Sequence, residues 1–140
     1  MILEYITNNY TYPELLKKML EISNRFSFVL RPNYTITKSE EDILSLFEQY
    51  LIFKAEVDSW PGTILYGKKA KIFYYSYSDE TYKLLLGICD NLYEWLHPEK
   101  PEDLCFYYND KSIFASISHE QDSYFLLDPV VSTNPKTPEN

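Results

Sequence analysis

Three glycines, two cysteines and two histidines are all that the 140-residue chain holds of those types, and each shortage closes off a class of protein. With Gly62, Gly67 and Gly87 isolated from one another, no glycine-rich loop exists to lay backbone amides against a phosphate. Cys89 and Cys105 are too few and too far apart for a Cys-x-x-Cys metal or redox pair. Both fall in apolar stretches, so they read as buried free thiols of a reducing compartment. His97 and His119 give no His-x-x-x-His spacing, and the expectation is no metal and no cofactor. Positive charge is also short. Thirteen Lys and Arg face 21 Asp and Glu, a net charge of −8, which disfavours direct binding of nucleic acid and favours a basic partner. No stretch approaches the roughly 20 apolar residues that span a bilayer. The opening "MILEYITNNY" lacks the basic start and apolar run of a secretory leader. No membrane association and a cytoplasmic location are expected.

What the chain has in quantity is aromatic side chain: 14 Tyr, 8 Phe and 2 Trp. Tyrosine pairs an apolar ring with a polar tip, which suits core edges and interfaces. The length fits one domain able to bury a core without a metal or disulfide staple. The expected organisation is one α+β domain over residues 1–128, then a Pro-rich, flexible tail over 129–140.

Three helices are predicted. Thr11 caps the first, with Pro13 and Glu14 in its opening turn and Leu15, Met19 and Ile22 giving its period; it ends near Asn24. The second is capped by Thr37 or Ser39, opens on Glu40, Glu41 and Asp42, and carries Ile43, Phe47 and Tyr50 on its apolar face. The third is capped by Ser78 and runs to His97 through Leu85, Ile88, Leu92 and Trp95, where Pro98 stops it. Between and after them lie strand-like runs: residues 1–6, 25–30, 53–57, 64–66, 70–77, 104–108, 112–118 and 124–127. "ND" at 109–110 predicts a hairpin, and Trp60-Pro61-Gly62 a turn. The fold expected is a mostly antiparallel sheet of about five strands with the three helices packed on it.

Four groupings carry candidate chemistry. His119 beside Glu120 offers a base or ligand with an orienting carboxylate, although neighbours on a strand point to opposite faces. Asp103 is an alternative partner for His119, and Cys105 a nucleophile it could activate, although an apolar strand is a poor setting for a reactive thiol. Glu102 and Asp103 in "PEDL" read either as a carboxylate pair or as acceptors for backbone amides at a strand start. Finally, acids cluster: Asp79, Glu80, Asp90, Glu94, Glu99, Glu102 and Asp103 stand against Lys83 and Lys100, and Glu40, Glu41, Asp42 and Glu48 mark a second acidic helix. Merged, the two would form a field that steers a basic partner. Beside them "IFYYSY" sets Phe73, Tyr75 and Tyr77 on one strand face, aromatics of the kind that concentrate binding energy.

Tyr93 and Trp95, "PEDLCF" at Pro101 to Phe106, and Ser116, His119 and Glu120 together resemble a pattern of small, uncharacterised bacterial proteins. By size and company those proteins are suspected to be immunity factors or antitoxins, and the resemblance implies such a role here. The function expected is an acidic protein-binding inhibitor, a monomer or homodimer, that occludes a basic toxin or nuclease. Glu94, Glu99, Glu102 and Asp103 would supply charge, and Tyr75, Tyr77 and Tyr107 contact. The alternatives are a phage- or host-encoded DNA mimic that regulates a DNA-binding enzyme, a small enzyme using His119 with Glu120 or Asp103, and a structural subunit with an apolar dimer face.

Overall fold

A computed structural model describes residues 4–127. The elements run β1 (Glu4–Thr7), α1 (Tyr12–Ile22), β2 (Arg25–Leu30), α2 (Lys38–Phe47), β3 (Leu51–Val57), β4 (Ser59–Trp60), β5 (Thr63–Ile64), β6 (Ala70–Ser76), α3 (Asp79–Ile88), β7 (Glu102–Tyr108), β8 (Lys111–Ile117) and β9 (Asp122–Leu127). Single 3-10 turns cover Glu48–Tyr50, Leu92–Glu94 and Ser118–Glu120. Seven strands form one antiparallel sheet in the order β1-β9-β8-β7-β2-β6-β3, and β4 with β5 makes a separate hairpin. The class is α+β with three helices, as expected, and the sheet is two strands wider than the sequence suggested. The predicted tail over 129–140 lies outside the described residues.

Helix boundaries follow capping chemistry. Thr11 and Thr37 each accept the N–H of the residue three on, and Glu14 and Glu40 return a carboxylate to the cap's own N–H. Such reciprocal boxes satisfy two of the donors that every helix start exposes. The third helix departs from its prediction. α3 ends at Ile88, and Asn91 opens a new turn by accepting the N–H of Tyr93 at 2.8 Å. The period from Leu85 to Trp95 fits a helix, but Asp90 and Asn91 offer the backbone local side-chain partners that compete with it. Glu94 takes the N–H of Asp90 at 3.1 Å. Leu92 and Trp95 reach the core all the same, Trp95 stacked on Phe28 at 5.5 Å with its indole N–H donated to Tyr12.

One face of the sheet meets all three helices. Phe26, Phe28, Phe73, Tyr75, Tyr77, Leu104, Phe106 and Phe114 pack there against Leu15, Leu16 and Met19 of α1, Phe47 of α2 and Leu85 of α3. The opposite face is covered in its centre by the β4–β5 hairpin, where Trp60 closes over Val29, Ile72, Cys105 and Tyr107. Gly62 lets the hairpin come that close: its φ is +91°, and a Cβ there would lie 3.1 Å from Ile117.

Candidate functional site

Five of the seven residues expected at a partner surface lie in the interior, and that expectation is corrected for each. Tyr75 is 1% exposed and stacks on Phe26 at 5.1 Å; Tyr77 is 5% exposed and donates its hydroxyl to the Leu16 carbonyl. Tyr75 belongs to β6, which has neighbours on either side, so its face toward the helices is core, and Tyr77 directly follows that strand with its N–H on the Asn24 carbonyl. Tyr107 is buried on the other face, 2.7 Å from the Ser27 hydroxyl. Glu102 and Asp103 are buried at the start of β7. Burial pushes the phenols of Tyr75, Tyr77 and Tyr107 well above their ordinary range.

The buried acids are held by a cation from the far end of the chain. Arg31, just past β2, donates Nε to Glu102 at 3.0 Å and Nη2 to Asp103 at 2.9 Å. Asp103 Oδ2 also accepts the Trp60 indole N–H at 3.0 Å, and Oδ1 accepts the backbone N–H of Ser118 at 2.9 Å. The Arg31 guanidinium lies over the Trp60 ring at 5.2 Å. Asp103 therefore ties β7, the hairpin and the 118–120 turn to β2, from a backbone φ of 60° that Asp tolerates better than most residues. Burial raises the Glu102 carboxyl above its ordinary range, and Arg31 pulls against that shift without cancelling it.

His119 and Glu120 both remain exposed, Nε2 to Oε2 3.5 Å, on the 118–120 turn. Asp103 reaches this turn through the Ser118 N–H rather than the imidazole. Cys105 is fully buried, and burial drives its thiol well above its ordinary range, away from the thiolate that nucleophilic attack needs. Cys89 is buried as well, its thiol shifted in the same direction by burial. Among the described residues no three His, Cys, Asp or Glu side chains gather as a metal site would require.

His97 is the more organised histidine, and the sequence pointed to it only as a helix end. Its Nδ1 lies 3.0 Å from Glu40 Oε2, and its ring stacks on Tyr34 at 4.1 Å. Glu40 is 2% exposed and its other oxygen caps Thr37. A carboxylate on Nδ1 fixes the ring and leaves Nε2 as the nitrogen able to act as base or ligand. His97 lines a cleft of about 300 Å³ with Arg31, Tyr34, Lys69, Lys71, Glu56 and Glu102. A wider apolar groove of about 510 Å³ continues it between α2 and β3, over Leu30, Ile36, Leu44 and Phe73. Beyond that, Glu41 and Glu48 line its acidic end with Leu51 and Lys54.

α2 itself joins the acid-bearing segments. At its start, Thr37 donates its hydroxyl to the Pro98 carbonyl at 2.7 Å and Ser39 to the Glu99 carbonyl at 2.6 Å. Past its end, Tyr50 donates to Glu80 at 3.1 Å in the first turn of α3. Glu99, Glu41, Glu48, Asp79 and Glu80, all exposed, thus lie on a helix about 15 Å long, at its end, or on the segments tethered to it. Asp42 sits there too, paired with Lys38 at 2.8 Å. Glu94 is exposed on the 92–94 turn, which packs instead against the turn that carries His119. No helix among the described residues is long and apolar enough to cross a membrane. Neither the family models, nor the curated proteins, nor the solved structures compared with this chain contain a match.

Proposed function

We propose that the chain is a stoichiometric, immunity-type inhibitor that captures a basic protein partner, a toxin or nuclease, on the acidic ridge of α2. The observation that supports this reading is the pair of tethers that set α2 between the two acid-bearing segments, Thr37 and Ser39 to the 98–99 chain and Tyr50 to Glu80. They bring Glu99, Glu41, Glu48 and Glu80 into one field, which the net charge of −8 reinforces. Such a field raises the association rate of a basic surface and suppresses acidic competitors. The groove beneath the ridge adds apolar area from Ile36, Leu44 and Phe73 that a partner side chain would fill.

The test starts from tagged protein bound to cell extract at low salt and eluted at high salt. The eluted basic partner is then purified and its activity titrated with the inhibitor. Loss of activity at one-to-one stoichiometry supports the reading, and triple reversal E41K/E48K/E99K lowers the association rate at least tenfold. Full inhibition by the triple variant at the wild-type rate removes the ridge as the interface. Competition by duplex DNA for the same site identifies the partner as a DNA-binding enzyme, the DNA-mimic case.

A further inference from the structure

β3 ends the seven-stranded sheet, so one side of its backbone has no ladder partner among the described residues. Two of its large apolar side chains reach the surface: Ile52 is 42% and Phe53 47% exposed. The strand pairs regularly with β6 from Phe53 through Val57, opposite Tyr74 to Ala70, after a bulge at Ile52. Within that stretch Phe53, Ala55 and Val57 share the face of Tyr74 and Ile72, and Lys54 and Glu56 share the opposite one. Lys54 and Glu56 are both exposed, and neither makes an ion pair among the described residues.

We infer that β3 is a homodimer edge, pairing antiparallel with β3 of a second copy about a two-fold axis at Ala55. An isologous antiparallel pair keeps each side chain on its own face, so only registers centred on a residue are allowed. Centred at Lys54, the two lysines oppose each other; centred at Glu56, the two glutamates do. Centred at Ala55, each Lys54 faces Glu56 of the second copy, twice over, and each Phe53 faces Val57. This register uses the whole five-residue regular stretch, which is symmetric about Ala55. The opposite-charge pairs are the kind that stabilise neighbouring strands, and Phe53, already stacked on Tyr74 at 4.4 Å, loses its exposed side. Pairing also closes the long edge, leaving only the four-residue β1 at the far margin of each sheet.

Lys54 and Glu56 also line the groove between α2 and β3, so the dimer is tested by self-association of the chain alone, a readout that does not depend on inhibition of a partner. Each copy carries −8, so the measurement belongs at about 0.15 M salt, where the Debye length is roughly 8 Å and long-range repulsion is screened. Sedimentation equilibrium over a concentration series is run on wild type, K54E, E56K and the double variant K54E/E56K, with folding followed by circular dichroism. Wild type is expected to sediment as a monomer–dimer equilibrium. Each single reversal sets like charges opposite each other twice and weakens the dimer about tenfold or more, while the double variant regains it. K54E carries the test alone if E56K, which faces Lys71 across the sheet, fails to fold. A wild type that stays monomeric throughout overturns the inference, as does a dimer indifferent to K54E. A folded double variant no better than the singles overturns the register.

Discussion

Asp103→Asn replaces one oxygen with an amide nitrogen, inside a side chain that is fully buried and accepts three hydrogen bonds. Asn also tolerates the φ of 60°, so backbone strain does not contribute. The amide has two orientations. In one, its oxygen keeps the Ser118 N–H and its NH2 group confronts both Arg31 and the Trp60 indole, donor against donor. In the other, the oxygen keeps Arg31 and Trp60 and the Ser118 N–H is stranded. The second is cheaper, and a stranded buried donor costs about 1–3 kcal/mol. Neutralising the carboxylate adds the loss of a buried ion pair, for which removal of one partner costs about 3–5 kcal/mol. Glu102 still holds Arg31 Nε at 3.0 Å, so the ion-pair loss is only partial and the expected total falls below the sum of those two ranges, at about 3 kcal/mol. For a domain of this size that lowers Tm by about 10 °C. Urea unfolding followed by tryptophan fluorescence reads the change as a lower midpoint at constant slope. An unfolding free energy within about 0.5 kcal/mol of wild type would refute the view that Asp103 ties the hairpin and the 118–120 turn to β2.

Glu102→Gln tests the other acid by pH. Because the folded state raises this carboxyl, its contribution is fully present below the ordinary carboxyl range and is lost as pH rises through the raised value. The stability of the Gln variant relative to wild type therefore increases as pH rises above the ordinary carboxyl range, and a flat difference in unfolding free energy would contradict the shift. His97→Ala strands Glu40 Oε2 and is expected to cost about 1–3 kcal/mol. A double-mutant cycle with Glu40→Gln should return a coupling of about 1 kcal/mol or more; simple additivity would mean the 3.0 Å contact contributes nothing. Cys89 and Cys105, buried and with thiols shifted upward, should resist iodoacetamide in the native protein and both react in denaturant, which mass spectrometry counts directly.

The fold was legible where local chemistry and tertiary packing agree. Thr11 with Glu14, and Thr37 with Glu40, spell their capping boxes in sequence, and the boxes form. The turn at Asn109-Asp110 likewise joins β7 to β8. Sheet width was harder to read although residues 1–6 already read as a strand, because pairing between distant segments, such as β1 with β9, decides which runs share one sheet. The stretch from Leu85 to Trp95 shows periodicity misleading in the other direction. A kinked path through Asp90 and Asn91 delivers Leu92 and Trp95 to the same core that a continuous helix would have served.

The acids divide by whether a cation from elsewhere in the chain can reach them, and spacing along the sequence carries no trace of that. At helix starts, Glu41, Asp79 and Glu80 are exposed because the first turn of a helix already offers a carboxylate a favourable field in water. At the start of β7, Glu102 and Asp103 go inside because Arg31, about seventy residues earlier, directly follows β2, the strand that β7 pairs with. The one local sign of this was a cation closing the apolar run of β2, directly before Pro32. The aromatics divide on the same principle. Tyr75 is interior because β6 has β2 on one side and β3 on the other, whereas Phe53 is half exposed because no strand among the described residues pairs beyond β3. Strand order, a property of pairings between distant segments, therefore decides which carboxylates and rings remain on the surface. It leaves the exposed acids on α2 rather than at the "PEDL" start of β7, and the exposed aromatic ring on the free edge of β3 rather than on β6.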